Sequence, residues 1–215
     1  MAYSTEIFNK HFSVYLVNTK ELEEECFKIR YKIFCEEKNI FEPIGPDVTV
    51  ELDIYDNYSL HYIIKHNSSD TFIATSRLIL PSRLPFPLES VFKIDYEGTG
   101  KKKTGEFSRL CILKESKLLV PPDISEYLSH LSTVLIACGI RDCLKYDIKF
   151  IICSMRKALQ RQLVSKGLIW NQIGDPKDYH GIRIPYRANV DALLNEAKVL
   201  NRDTYCILMD IINRG

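Results

Sequence analysis

The sequence of 215 residues is short of several things that would assign a chain to a class. Its seven cysteines contain no Cys-x-x-Cys pair, and the number is odd. Most of them sit in apolar runs such as Ile151-Ile152-Cys153, which reads as buried reduced thiols packing as small hydrophobes. That usage implies a reducing, cytoplasmic setting. The five histidines are scattered, with none at metal-ligand spacing, so no metal site is expected. No uninterrupted apolar run approaches the ~20 residues of a membrane span. The first ten residues lack a basic start followed by an apolar stretch, so no signal peptide is expected. The formal net charge is only +1, and a broad basic face for nucleic acid is therefore not expected. No internal repeat or low-complexity segment is visible. What is present is a 46% hydrophobic chain, long enough to bury a core without disulfides and expected to form one domain over residues 1–215.

Alternation of Phe12, Val14 and Leu16 with polar neighbours predicts a first strand. A helix follows, with Asn18 and Glu21 at capping-box spacing and Leu22, Cys26, Ile29, Ile33 and Phe34 on its apolar face. Residues 41–50 hold Pro43, Gly45 and Pro46 and read as a loop. Strands at 60–65 and 72–80 flank the turn-prone residues 67–70 as a hairpin. Residues 81–103, rich in proline, glycine and lysine, read as a long surface excursion. A strand near 107–113 is followed by a long helix from Pro121-Pro122-Asp123. Asp123 and Glu126 would cap it, and Leu128, Leu131, Leu135 and Cys138 would form its stripe. The apolar run 148–153 reads as a central strand, and 155–166 as a helix stopped by Gly167. Strand-like pieces at 183–186 and 205–209 bracket a helical stretch at 190–200. The order predicts an α/β sandwich, with helices on a mixed sheet.

Some charges do not suit a plain core. Arg30 lies in the first helix, and Glu51, Asp53 and Asp56 follow the loop. Arg77 shares a strand face with Ile73, Thr75 and Ile79. Glu106 and Arg109 bracket Phe107-Ser108. A buried charge without a partner is costly, so these are expected to pair, with Arg30, Arg77 and Arg109 balancing Asp53, Asp56 and Glu106. Two readings stay open: an ion-pair network pinning the loop onto the sheet, or an active site. A carboxylate can take the proton of an amine nucleophile, and arginines can grip a carboxylate substrate bidentately. In a regular strand Glu106 and Arg109, three apart, would point to opposite faces. If both serve one site, a bulge or irregular start is expected between residues 106 and 112, with both side chains near Asp53 or Arg77.

Arg30-x-x-x-Phe34, Asp53-x-x-Asp56, Arg77 in a strand and Glu106-x-x-Arg109 together resemble the signature of acyl-homoserine-lactone synthases. Long-chain N-acyl amino acid synthases and the acyltransferases of PEP-CTERM/exosortase loci share much of it. Residues 181–186, Gly-Ile-Arg-Ile-Pro-Tyr, resemble the last branch more loosely. The resemblance implies a GNAT-like three-layer sandwich around a central mixed sheet and an acyl-carrier-protein donor. The acceptor it implies is an amine, with no bound cofactor. It makes Glu106 the base, with Arg109 beside it as a catalytic residue, and places Arg30, Phe34, Asp53, Asp56, Arg77 and Ser108 in the network that orders the acceptor site. Quorum-signal synthases carry a tryptophan shortly after the Arg-x-x-x-Phe element. Here that stretch is Lys38-Asn39-Ile40-Phe41 and the single tryptophan is Trp170, which favours an amino acid acceptor over S-adenosylmethionine.

Coenzyme-A-using relatives of that fold cradle the diphosphate in a glycine-rich turn at a helix start. Residues 114–122 contain no glycine, which favours an acyl-phosphopantetheine thioester on a carrier protein, with acyl-coenzyme A as the other donor. Arg141, Lys145, Lys149, Arg156, Lys157 and Arg161 are candidate contacts for an acidic carrier protein, against the more ordinary reading of a solvated helix face. Cys111, near Arg109, could act as a covalent nucleophile, but no histidine neighbours it in the sequence. Two other functions remain beside the amino acid acyltransferase. One is a quorum-signal synthase using S-adenosylmethionine; the other is a non-catalytic module binding acyl chains or carrier protein.

Overall fold

The computed structural model describes residues 3–45, 47–96 and 100–214. Pro46 of the first loop and residues 97–99 of the second lie outside the described residues. Contacts divide the chain into two compact units, residues 1–77 with 109–136, and residues 78–108 with 137–215.

In the first unit, α1 (Thr5–His11) leads into β1 (Phe12–Leu16), then α2 (Lys20–Tyr31), which runs on as a π-helix over Lys32–Glu37. The short α1, begun by the Ser4 hydroxyl accepting from the Ile7 N–H, has too few apolar positions to show a period. For α2 the cap is Thr19, whose hydroxyl accepts from the Leu22 N–H, rather than Asn18. Thr19 has the extended backbone that aims its oxygen at the third helical N–H. β2 (Ser59–His66) and β3 (Thr71–Ile79) form the expected hairpin, and the sheet runs β1-β2-β3-β4, where β4 is Thr104–Ile112. β1 and β2 are antiparallel, Phe12 opposite His66 and Leu16 opposite Tyr62. The inner face of α2 packs Cys26, Ile29 and Ile33 against Ile63, Cys111 and Leu113. The four aliphatic side chains among them, at ~1.5–3 kcal/mol each, supply much of the hydrophobic drive here.

After β4 come α3 (Ser116–Leu119), a 3₁₀ segment (Pro122–His130) and the start of α4 (Leu131–Lys145). The expected helix from Pro121 is therefore 3₁₀ for its first nine residues. Asp123 and Glu126 do not make its capping box, since the N-cap is Pro121 and has no side-chain bond. The buried residues there are Ile124 and Tyr127, three apart, which is the repeat of a 3₁₀ turn.

In the second unit the sheet runs from the end of β3 through β4, β5 (Phe150–Met155) and β8 (Ile182–Asn189) to β6 (Asn171–Gln172), with β7 (Lys177–Asp178) also on β8. β4 pairs with β5 in parallel, and β5 with β8 antiparallel, so the sheet is mixed. Helices α5 (Lys157–Ser165), α6 (Val190–Leu200) and α7 (Arg202–Asn213) accompany it. Gly167, at φ +72°, ends α5 as expected: its N–H reaches the Val164 carbonyl and that of Leu168 the Leu163 carbonyl. Residues 205–209 are helical, not strand. Asn201 caps the Thr204 N–H, and Thr204, Ile207, Leu208 and Ile211 are buried at helical spacing. The excursion at 81–103 is not all surface either, because it buries Phe86, Leu88 and Phe92. A side chain at Gly139 on α4 would meet the Phe107 ring at 2.9 Å, so glycine there is what lets α4 approach β4.

Candidate active site

Three arginines and three carboxylates close into one network within the first unit. Arg30 comes from α2, Arg77 from β3 and Arg109 from β4; the carboxylates come from the irregular segment before β2. Arg30 Nε donates to Glu51 Oε2 at 2.6 Å, and its two Nη atoms to both oxygens of Asp56 at 2.8 and 3.1 Å. Arg77 Nη1 reaches Asp53 Oδ1 and Asp56 Oδ1, each at 2.6 Å. Arg109 spans Glu51 (Nη2 to Oε1, 2.7 Å) and Asp53 (Nη2 to Oδ2, 3.0 Å). Asp56 also takes the Asp53 N–H at 2.7 Å, and Asp53 the Tyr55 N–H at 2.9 Å, which folds the segment tightly enough to aim both carboxylates inward.

Burial raises the Glu51 carboxyl, but Arg109 and Arg30 outweigh it and hold it at about 2. Burial likewise opposes ionisation of Asp56, yet Arg30 and Arg77 hold it well below the usual range. Both are therefore carboxylates at neutral pH. His61 on β2 has its Nε2 3.6 Å from Asp56 Oδ1 and its ring edge-on to Phe27. Burial lowers it to about 4 despite the Asp56 charge, so it is a neutral imidazole.

The network is closed at the back and open at one edge. Arg30 and Arg77 are fully buried, whereas the Arg109 and Asp53 side chains are 14% and 26% exposed. Beside that edge stand Phe41, its ring centroid 4.3 Å from the Arg109 guanidinium carbon, and Phe34 at 5.8 Å, both within cation–π range. Arg109 itself has a left-handed backbone, φ +54°, so the regular alternation of β4 breaks there, within the 106–112 stretch where an irregularity is expected if Glu106 and Arg109 serve one site. A non-glycine residue held so is strained, a state that persists only where the surroundings over-determine it.

Glu106 lies on β4 in the second unit, buried, with Oε2 accepting the Leu88 N–H at 2.9 Å. Ser108 is half-buried on the same strand. The carrier-protein candidates all fall in the second unit but not in one patch. Lys145 and Lys149 adjoin the start of β5, with Lys149 paired to Asp147 at 2.9 Å, and Arg141, earlier on α4, pairs with Asp142. Arg156, Lys157 and Arg161 follow the end of β5, one strand length away, roughly 20 Å. Cys111 is buried, and desolvation pushes its thiol far up, which makes it a poor nucleophile.

A family model described as an acetyltransferase (GNAT) domain matches residues 29–118, a span that holds every member of the network. No curated protein matches the sequence. Among solved structures, the acyl-homoserine lactone synthase LasI aligns at TM-score 0.65 and 18% identity, over 84% of this chain and 90% of its own. MesI, a CoA-dependent acyl-homoserine lactone synthase, aligns at 0.64 and 17%, over 94% and 95%. FeeM, an N-acyl amino acid synthase from uncultured soil microbes, aligns at 0.59 and 14%, over 88% and 98%. The chain has the GNAT acyltransferase fold.

Sequence spacing singles out Arg30, Phe34, Asp53, Asp56, Arg77 and Arg109, and the structure puts these side chains in one cluster. Spacing left Glu51 out of the charge balance, although the Glu51-x-Asp53 interval puts both on one side of an extended chain. It also missed Phe41 and His61 as members of the site. Phe41 is placed by the turn that closes the π-helix, where the Ile40 and Phe41 N–H groups both reach the Phe34 carbonyl. No spacing rule reveals that.

Proposed function

We propose that the chain is an N-acyltransferase, a single domain over residues 1–215 that moves a fatty acyl group from a phosphopantetheine thioester to the amine of an amino acid. The observation that carries this reading is the open Arg109–Asp53 edge of a network otherwise sealed. An amino acid brings one carboxylate and one ammonium. Arg109, whose Nε and Nη2 are engaged by Glu51 and Asp53, offers the first its charge and its Nη1; Asp53 suits the second, and the Phe34 and Phe41 rings flank the guanidinium. Glu106 accepts the ammonium proton, directly or through water. The freed amine attacks the thioester carbonyl, a C–N bond forms, the oxyanion is met by backbone N–H groups, and the C–S bond breaks to release a thiolate. That thiolate collects the proton. Carrier protein is the favoured donor, because the stretch after Leu113 has no glycine cradle for a coenzyme A diphosphate.

The neighbours LasI and MesI support a second reading, an acyl-homoserine lactone synthase acting on S-adenosylmethionine. Purified protein is given acyl carrier protein or coenzyme A thioesters of matched chain length, with isotope-labelled amino acids or S-adenosylmethionine, and products are read by mass spectrometry. N-acyl amino acids made faster from the carrier protein are expected. Acyl-homoserine lactone as the sole product selects the second reading. No product from any combination leaves a binding module. A higher kcat/KM with acyl-coenzyme A overturns the donor assignment.

A further inference from the structure

The register of the second unit lines up three cations across three adjacent segments. Met155, the last residue of β5, faces Ile184 of β8, so Arg156 and Arg183 come next in line on either side. On the other edge of β8, Arg183 faces Lys177 of β7. Like charges directly opposite one another across strands are destabilising. The Arg156 guanidinium lies against Gly181, where an added side-chain carbon would meet it at 3.2 Å. The residue is exposed, with its guanidinium beside the start of β8. Arg183 is half-buried, and burial together with the Arg156 charge lowers its pKa. Among the described residues neither guanidinium has a hydrogen-bond or ion-pair partner. Asp178, at the end of β7, accepts the Gly181 N–H at 3.1 Å. Lys177 is held by the Val91 carbonyl at 2.5 Å and by the Phe92 ring. Lys157 and Arg161 extend the positive field along the exposed face of α5.

We infer that Arg156 and Arg183 form a phosphate site that receives the 4′-phosphate of the donor's pantetheine arm, with Lys177 as a flanking charge. The two guanidiniums offer paired donors of the kind that grip phosphate oxygens, and an incoming anion removes the repulsion that the bare row carries. The inference rests on the thioester reading above. It supplies a place for the donor phosphate that the glycine-free stretch at 114–122 does not.

The test measures dissociation constants by calorimetry for three probes on the intact protein: 4′-phosphopantetheine, pantetheine and coenzyme A. Phosphopantetheine is expected to bind about tenfold to a hundredfold tighter than pantetheine, the effect of one or two charge-assisted bonds. Arg156→Ala and Arg183→Ala are expected to collapse that ratio toward one, and Arg183→Lys to keep part of it, with a melting temperature no lower than wild type in the alanine variants, since each relieves the like-charge repulsion. Coenzyme A and holo-carrier protein, competed against each other, tell which source of the phosphate the site serves. Equal binding of phosphopantetheine and pantetheine, no binding of either, or a ratio that survives both alanine variants overturns the site. Phosphate discrimination without acyl transfer in the product assay leaves the site standing and removes the function.

Discussion

Replacing Asp56 with asparagine removes one charge and almost no volume. Asp56 accepts four bonds, two from Arg30, one from Arg77 and one from the Asp53 N–H. Asparagine keeps a single acceptor oxygen and turns an NH₂ group toward guanidinium donors. Three arginines then face two carboxylates, Glu51 and Asp53, with Arg30 and Arg77 fully buried. Breaking a buried pair from one side costs about 3–5 kcal/mol, a large fraction of a typical domain's ~5–15 kcal/mol. At ~2–4 °C per kcal/mol for a chain of this size, the midpoint should fall by roughly 6–20 °C. Differential scanning calorimetry at pH 7 measures it. Because the pair is buried, the loss should be nearly the same at low and high salt. A midpoint within about 2 °C of wild type would refute the reasoning. So would a deficit that disappears in high salt, since either outcome puts the carboxylate in solvent.

Glu106→Gln should fold normally and lose roughly 10²–10⁴-fold in kcat, the usual worth of a general base; near-normal turnover dismisses Glu106 from that role. Acid sensitivity should come in two stages. His61 sits at about 4 when folded against an ordinary 6.5, so the unfolded chain protonates first, and its stabilisation, full above 6.5, is lost as pH falls toward 4. Glu51, at about 2 against 4.5, contributes stability above 4.5 that is lost toward 2. Urea midpoints from pH 7 down to 3 should show both, and His61→Gln should flatten the first; an unchanged profile in that variant assigns the upper stage elsewhere. At Arg109 the left-handed backbone inverts the usual strand preference, so Arg109→Gly should be about 1 kcal/mol more stable than Arg109→Ala. Urea unfolding of the pair decides it, and alanine being the better residue would mean that the φ relaxes once the guanidinium is gone.

The sequence by itself determined that buried arginines and carboxylates had to find each other, and in what order along the chain. Arg77 in an apolar strand face and the paired acids after the first loop carry that message in their spacing, because an unpaired buried charge is prohibitive. Periodicity also settled the hairpin, α2, α5 with its Gly167 stop, and β5. It failed at residues 205–209, where five residues were too short a window to separate a strand from the buried stripe of a helix. It failed again at 122–130, where the proline start and the Asp123–Glu126 spacing point to an α-helix and the chain is 3₁₀. Tertiary structure alone decided that Glu51 completes the charge balance, that Phe41 stands over Arg109 and that His61 is neutral beside Asp56. It alone also decided that Arg156, Arg183 and Lys177 fall in one row. Each of these depends on register or a turn between elements, and spacing along one element says nothing about which residue of another lies opposite it.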